Sequence, residues 1–581
     1  MEYNRFGIRI KYEVNRMATF KDFEYKRPNL EDMKAQYAML LEEFKAASSV
    51  ETQSEAIDKL NKIRNTYSTM ANIVYIRASI DTNDEFYQKE RDYFDEIDPV
   101  VEELVFNYYT ELVKSPFRAQ LEEKWGTQLF ALAENQLKGF SPEVIELMQQ
   151  ENKLTSEYSK LVASAQIEFD GKTLTLAQLA PYAESTDRAV RKAAREANFN
   201  FFADNKEKFD SIYDQLVKLR HKIATTLGFK NYVELGYVNM NRVDYNAEMV
   251  AKFREQVREF IVPLVSKLYE RQAERIGVDE FKFYDEGLSF LTGNAVPQGD
   301  AAWIVANGKK MYEELSKETG EFFNYMIEHD LMDLVAKKGK ESGGYCTFIE
   351  DYDSPFIFSN FNGTSGDIDV LTHEAGHAFQ VFSSRDIGIP EYLWPTYESC
   401  EIHSMSMEFF TWPWMELFFK HQTEKYKFAH LSSGLIFLPY GVSVDEFQHV
   451  VYENPEMTPA ERNAAWKEIE AKYLPHRDYD GHDYLESGAV WQRQGHIYAS
   501  PFYYIDYTLA QICAFQFWKR SREDFEGAWK DYLHLCRLGG SFAFTKLVEE
   551  AGLISPFEEG CVESVIGPIE DYLNAVDDKN L

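Results

Sequence analysis

Between Asn29 and Lys160, apolar residues recur at three- and four-residue spacings with charges between them, as in EDMKAQYAMLLEEFKAA and SEAIDKLNKIRNTYSTMANIVYIRAS. That period lines one face of a helix with hydrophobic side chains, so the stretch predicts a run of long amphipathic helices. In SPEVIELMQQENKLTSEYSKLVASA, Ser141 reads as an N-cap and Pro142 as the first helical residue. The pattern then breaks at IEFDGKTLTLAQL, where Asp170-Gly171 between alternating apolar positions predicts a short β-hairpin. STDRAVRKAAREANFNFF restores the helical period, with Ser185 or Thr186 as its cap.

A soft boundary near residue 200 divides an N-terminal helical lobe, 17–200, from a region 201–581. With no Pro/Ser-rich linker between them, the two are expected to pack together. Residues 1–16 differ in character and read as an extension or tag-like segment.

The pattern changes again at GGYCTFIEDYDSPFIFSNF, Gly343 to Phe361, which is rich in Tyr, Thr, Phe and Ile and predicts strands. FNGTSGDID follows as a glycine-containing loop, and DVLTHEAGHAFQVFSS then reads as a buried helix. A buried helix that carries this many polar groups calls for a chemical reason.

Composition narrows the classes. The chain has 581 residues, 45% of them hydrophobic, enough to bury a large core. Its formal net charge of -34, with no Lys/Arg-rich run, argues against a nucleic-acid surface. Five scattered cysteines without a CxxC pair suit a reducing compartment, and no apolar stretch reaches the length of a membrane span. A soluble, cytoplasmic protein is the expectation, and the sequence is silent on oligomeric state.

A metal site would account for the polar helix. His373 and His377 are four apart and project from one helical face, and Glu374 falls beside them, placed to hold a water and take its proton. A catalytic zinc takes a third protein ligand. No histidine follows at HExxHxxGxxH spacing, because Phe379 to Asp386 contains none. The downstream stretch PEYLWPTYESCEIHSMSMEFFTW offers Glu391, Glu398, Glu401 and Glu408, with Cys400 and His403 as rivals. Pro390 and Pro395 place Glu391 in a loop, and a helix is expected to start after Pro395 with Thr396 as cap. On that helix Glu401, Ser404 and Glu408 share a face, while His403 points about 200° from Glu401. Glu398, Glu401 and Glu408 remain open on spacing alone.

Farther on, GHIYASPFYYIDYTLAQICAF predicts a helix starting at Ser500-Pro501, with Tyr504 and Tyr507 one turn apart and His496 just before them. Tyr O–H and His N–H are donors suited to the charge that grows on a carbonyl oxygen under attack.

HEAGHAF, ESCEIHSMSMEFF and GHIYASPFYYIDYTLAQ together resemble the zinc oligopeptidases of the thimet oligopeptidase and oligoendopeptidase F type, nearest to their bacterial Pz-peptidase-like branch. The likeness is strongest over residues 373–510 and is compatible with nearly the whole chain. It implies a mostly α, two-lobed metallopeptidase with a deep central channel and a small β-sheet beside the HExxH helix. It also implies one zinc per chain, and the family's Glu/Ser/Glu register selects Glu401 as third ligand, with Ser404 and Glu408 in step. His403 stands where more distant members carry a small residue, which implies a packing difference. Glu408 becomes the candidate partner of a ligand imidazole.

By the same resemblance Glu374 is the base, and His496, Tyr504 and Tyr507 stabilise the tetrahedral intermediate, with Tyr498 and Tyr503 as alternates. Gly343, Gly344 and Tyr345 begin an edge strand that pairs with the bound peptide. The implied activity is cleavage of internal bonds in oligopeptides. A peptidyl-dipeptidase or carboxypeptidase with the same zinc site is the nearest alternative, and a peptide-binding protein without turnover is the rival from another class.

Overall fold

The computed structural model describes residues 18–581, so the segment 1–16 lies outside the described residues. Helices dominate it. Leu30–Ala46, Val50–Ile80 and Glu85–Val113 open the chain, and the side chains of Asn29, Ser49 and Asp84 accept N–H groups of their first turns. These helices bury Tyr37, Leu40, Phe44, Ile57, Leu60 and Leu112 in a core of their own, to which Ile389 and Tyr392 contribute from far along the chain. A second, larger core runs without interruption from Phe20 to Leu573. The first helices and the later ones are therefore packed on each other through shared hydrophobic clusters.

Ser141 does accept an N–H from Glu143, and Pro142–Val144 forms one 3-10 turn that leads into the helix Ile145–Ala163. Ile167–Phe169 and Lys172–Leu174 pair antiparallel, with Asp170 at φ 51° and Gly171 at φ 69°. Both central residues need positive φ in a two-residue turn of this kind, which is why Asp-Gly announces it. After the short helix Leu176–Ala183, the cap of the helix Arg188–Asp204 is Asp187 instead of Ser185 or Thr186. The Asp187 side chain accepts the Ala189 N–H, and Ser185 serves the turn before it by accepting the N–H of Asp187. Residue 200 falls inside this helix.

The small sheet has three strands in the order Met332–Val335, Ser354–Phe361, Tyr345–Ile349. The first pairs parallel with the central strand (Met332 opposite Ile357) and the last antiparallel (Tyr345 opposite Phe358). Tyr345–Ile349 is thus an edge strand, and the sheet packs on the helix Gly366–Ser384 that carries HEAGH. This helix begins earlier than the loop reading of FNGTSGDID allows, because the Asp367 carboxylate accepts the N–H groups of Asn362 and Gly363 and ties down its first turn.

Glu391 lies on a short helix, Pro390–Leu393, and not in a loop. Its carboxylate meets Arg64 at 2.7 Å and Tyr109 at 2.5 Å on the N-terminal helices, a contact between the halves that makes it structural. Tyr397–Phe410 follows, with Thr396 at the cap position but without a capping bond from its side chain. This helix packs most heavily against the HEAGH helix and against Tyr504–Glu523. The latter starts at Tyr504 and not at Ser500, because Phe502 takes a φ of 67° and gives its N–H to Gln448 at 2.9 Å. Among the described residues no helix is long and apolar enough to cross a membrane, and all five thiols are free.

Candidate active site

Gly376 explains how two helices converge on one point. A Cβ there would stand 2.6 Å from the Ser404 Cα and 2.7 Å from the His403 carbonyl oxygen, so only glycine admits this approach. The close contact brings Nε2 of His373 to 3.1 Å and Nε2 of His377 to 3.4 Å from one oxygen of Glu401. These three residues present ligand atoms within 4.8 Å of one another, the spacing of a mononuclear metal site. Burial opposes the Glu401 charge, but the two imidazoles outweigh it and hold the carboxyl well below its usual range.

The ligand set is held from behind. Ser404 donates to Glu401 Oε2 at 2.9 Å. Nδ1 of His373 donates to Glu408 Oε1 at 2.8 Å, and Glu408 Oε2 accepts from Nε2 of His430 at 2.8 Å. Trp412 donates to the remaining nitrogen of His430 at 3.1 Å, which fixes that ring's tautomer. Sequence reasoning did not find His430, a single histidine in AHLSSG without any motif around it.

The rivals lie elsewhere. Glu398 is buried beside Asp506 and Arg242, where burial raises its pKa well above normal. His403 accepts no metal role: its Nδ1 donates to the Ser399 carbonyl at 2.7 Å, and burial lowers the ring to about 4.

Glu374 faces the same space as the ligands, with one carboxylate oxygen buried and unpartnered. Burial raises its pKa against the pull of His373 and His377, which moves it toward a proton acceptor useful near neutral pH. Opposite it lies the donor group. Tyr503 donates to Glu401 Oε1, and Tyr507 Oη lies 3.0 Å from Nε2 of His496. Burial lowers His496 to about 4, so its ring is neutral. Both phenols are raised by burial and by the Glu401 charge, and stay protonated.

Five side chains the sequence grouped together therefore separate. Tyr503, Tyr507 and His496 line the metal cavity, whereas Tyr504 lines a second cavity of about 290 Å³ reached past His496 and Tyr507, which border both. Tyr498 belongs to neither: it is fully buried, stacks on Tyr158 at 4.0 Å and gives its hydroxyl to the Phe209 carbonyl. The helix starts past Ser500, at Tyr504, and the Tyr503 just before it bonds Glu401.

The metal cavity holds about 590 Å³ and is walled by Gln128 and Leu132 of the N-terminal helices, by Gly344 and the edge-strand residues Tyr345 to Thr347, and by Phe542. Gly344 leaves room for Glu374, because a Cβ would come within 3.2 Å of its Oε1 and 2.9 Å of a Val370 methyl. Tyr345 stacks its ring on Phe358 and its hydroxyl lies 2.6 Å from that of Ser79. Gly343 is outside the lining, its carbonyl taken by Asn360.

Residues 20–140 match the family model described as peptidase M3 N-terminal domain, and residues 181–288 with 310–565 match that of peptidase family M3. Among solved structures the chain is similar to Pz peptidase A, solved with an inhibitor, at 68% identity and a TM-score of 0.96 over 96% of this chain and 100% of that one. It is similar also to an oligoendopeptidase F from Bacillus anthracis str. Ames, at 59% identity and a TM-score of 0.92 over 98% and 100%. A more distant relative, the chromosomal oligoendopeptidase F of Lactococcus lactis subsp. cremoris, is 25% identical over 221 residues. That alignment takes in 35% of this chain and only 33% of the relative's length.

Proposed function

From the chain's membership of peptidase family M3, we propose a zinc-dependent oligoendopeptidase that hydrolyses internal bonds of short peptides. The observation that carries this reading is the convergence of His373, His377 and Glu401 beside Glu374 in one enclosed cavity. Two imidazoles and one carboxylate are a donor set that suits zinc and leaves a position open. The Glu408 carboxylate behind His373 is the usual support for such a ligand. When bound, zinc supplies a Lewis acid that polarises a carbonyl and makes water acidic.

The chain's own residues supply the rest. The edge strand Tyr345–Ile349 offers backbone groups to an extended peptide, which needs no particular side chains for that pairing. Glu374 takes a proton from the attacking water and returns it to the leaving amine. Tyr507, backed by His496, donates toward the carbonyl oxygen as it gains charge, and Tyr503 stands next to it. Enclosure by both halves of the molecule supports a preference for short substrates.

The cavity lining favours an endopeptidase over an enzyme that grips a C-terminus. Among the described residues, neither cavity at the metal site is lined by a lysine or arginine, so a terminal carboxylate would meet no cation there.

A matched assay of wild type and Glu374→Gln on an internally quenched peptide with both ends blocked tests the reading, with bound metal counted in each. The expected result is one zinc in both proteins and internal cleavage by the wild type alone. Activity in the Gln variant, or in zinc-free protein, overturns it.

A further inference from the structure

Which nitrogen of His496 carries the proton decides whether Tyr507 has a proton to offer a substrate, and a chain of four side chains settles that choice. The Arg493 guanidinium lies 5.6 Å from the centre of the Tyr440 ring. Tyr440 donates to Gln494 Oε1 at 3.0 Å. The amide nitrogen of Gln494 lies 2.8 Å from Nδ1 of His496, and Nε2 of His496 lies 3.0 Å from Tyr507 Oη.

Hydroxyls, amides and neutral imidazoles can each be turned round, so a row of them has two self-consistent polarities. A guanidinium cannot be turned, because it has donors and no acceptor. The fixed positive charge of Arg493 beside the Tyr440 ring favours the phenol as a donor directed away from it, and its proton goes to Gln494 Oε1. The Gln494 N–H then points at Nδ1, the His496 proton sits on Nε2, and Tyr507 Oη accepts it. The Tyr507 proton is left for the cavity. In the reverse polarity Tyr507 would spend that proton on a bare Nε2 and face the substrate with lone pairs only.

We infer that Gln494, oriented by Tyr440 and Arg493, is a positioning residue that holds His496 in its Nε2–H tautomer and thereby makes Tyr507 a hydrogen-bond donor to the bound peptide. This rests on the peptidase reading for its catalytic consequence, but the tautomer itself does not. Gln494 and Tyr440 touch no reacting atom. They act through His496, which borders both cavities and so could otherwise rotate its bonding toward either.

The test is long-range ¹H–¹⁵N correlation on zinc-loaded protein with ¹⁵N-labelled histidine, the His496 signals being identified by their loss in His496→Gln. Wild type should show a protonated Nε2 and a bare Nδ1. Gln494→Glu is nearly isosteric but presents only acceptors, so it should place a proton on Nδ1. It should also lower kcat by on the order of tenfold to a hundredfold with KM changed less than twofold, as for loss of one preorganised donor. Tyr440→Phe frees the amide to rotate and should give a mixture of both tautomers with a smaller fall in kcat. A wild-type His496 protonated on Nδ1, or one that keeps its pure Nε2–H form in both variants, overturns the inference. Protein that shows the expected tautomers yet cuts no peptide would instead sink the peptidase reading.

Discussion

Glu408 accepts from Nδ1 of His373 at 2.8 Å, and its neighbour two turns back, Glu401, lies 3.1 Å from Nε2 of the same ring. One helix thus carries both the proposed third ligand and the carboxylate that holds His373. Glu408→Gln should keep the bond to His373 through its amide oxygen but turn an N–H toward the N–H of His430. Zinc affinity is expected to fall by about tenfold to a hundredfold. Competition against a chelator measures it, and an unchanged affinity would mean that Glu408 is a bystander.

Glu401 and Glu398 are a pair that the sequence alone left unresolved, and the two sit in different surroundings. Glu401→Ala should lose the stoichiometric zinc, whereas Glu398→Gln, a neutral replacement for a carboxyl whose charge burial disfavours, should retain it. Metal content by elemental analysis decides between them, and the opposite pattern would show that the wrong glutamate has been assigned.

For the tyrosines the expectation follows from which cavity each lines. Tyr507→Phe should lower kcat by about a hundredfold, the scale of one lost donor at a developing oxyanion. Tyr504→Phe removes a hydroxyl from the second cavity and should leave kcat within a few-fold of wild type. Comparable losses in both variants would contradict the division of roles.

Gly376→Ala should act on the metal without touching it. Its methyl group would collide with backbone atoms of the facing helix, which cannot swing aside as a side chain could. The two helices must part, at a cost of about 1–3 kcal/mol in stability, and Glu401 withdraws from the two histidines. Urea unfolding and zinc titration should both register the change. A variant of wild-type stability and affinity would show that the helices do not need this contact.

The features legible in the sequence were those with short-range causes. Asp170-Gly171 encodes its own turn, and HEAGH places three groups on one helical face whatever surrounds it. Glu391 was misread because prolines on either side suggest a loop, while its real determinant is Arg64, more than three hundred residues away. The later helix start, and with it the cavity each of Tyr503 and Tyr504 lines, has a similar cause: Gln448 holds Phe502 in a positive-φ bend that postpones the helix beyond its apparent Ser-Pro start. His430 and Gln494 carry no local signal at all, since each is defined by a partner brought from another element or by direction within a hydrogen-bond chain.

His476 offers a pH dependence separable from catalysis. Its ring stacks on Tyr269 at 3.8 Å with both nitrogens buried and unpartnered, and burial lowers its pKa from 6.5 to about 4. Glu286 raises it and Arg477 lowers it, but neither reverses the effect of burial. Between these two values the unfolded chain binds a proton that the folded one refuses, so stability falls as pH drops through the window. At pH 5 the penalty is about 2 kcal/mol relative to pH 8, from a shift of this size at 1.36 kcal/mol per unit. His476→Phe keeps the stack and abolishes the titration. Its unfolding free energy should therefore exceed that of wild type by about 2 kcal/mol more at pH 5 than at pH 8. Equal differences at the two pH values would show that the imidazole is solvated or partnered after all.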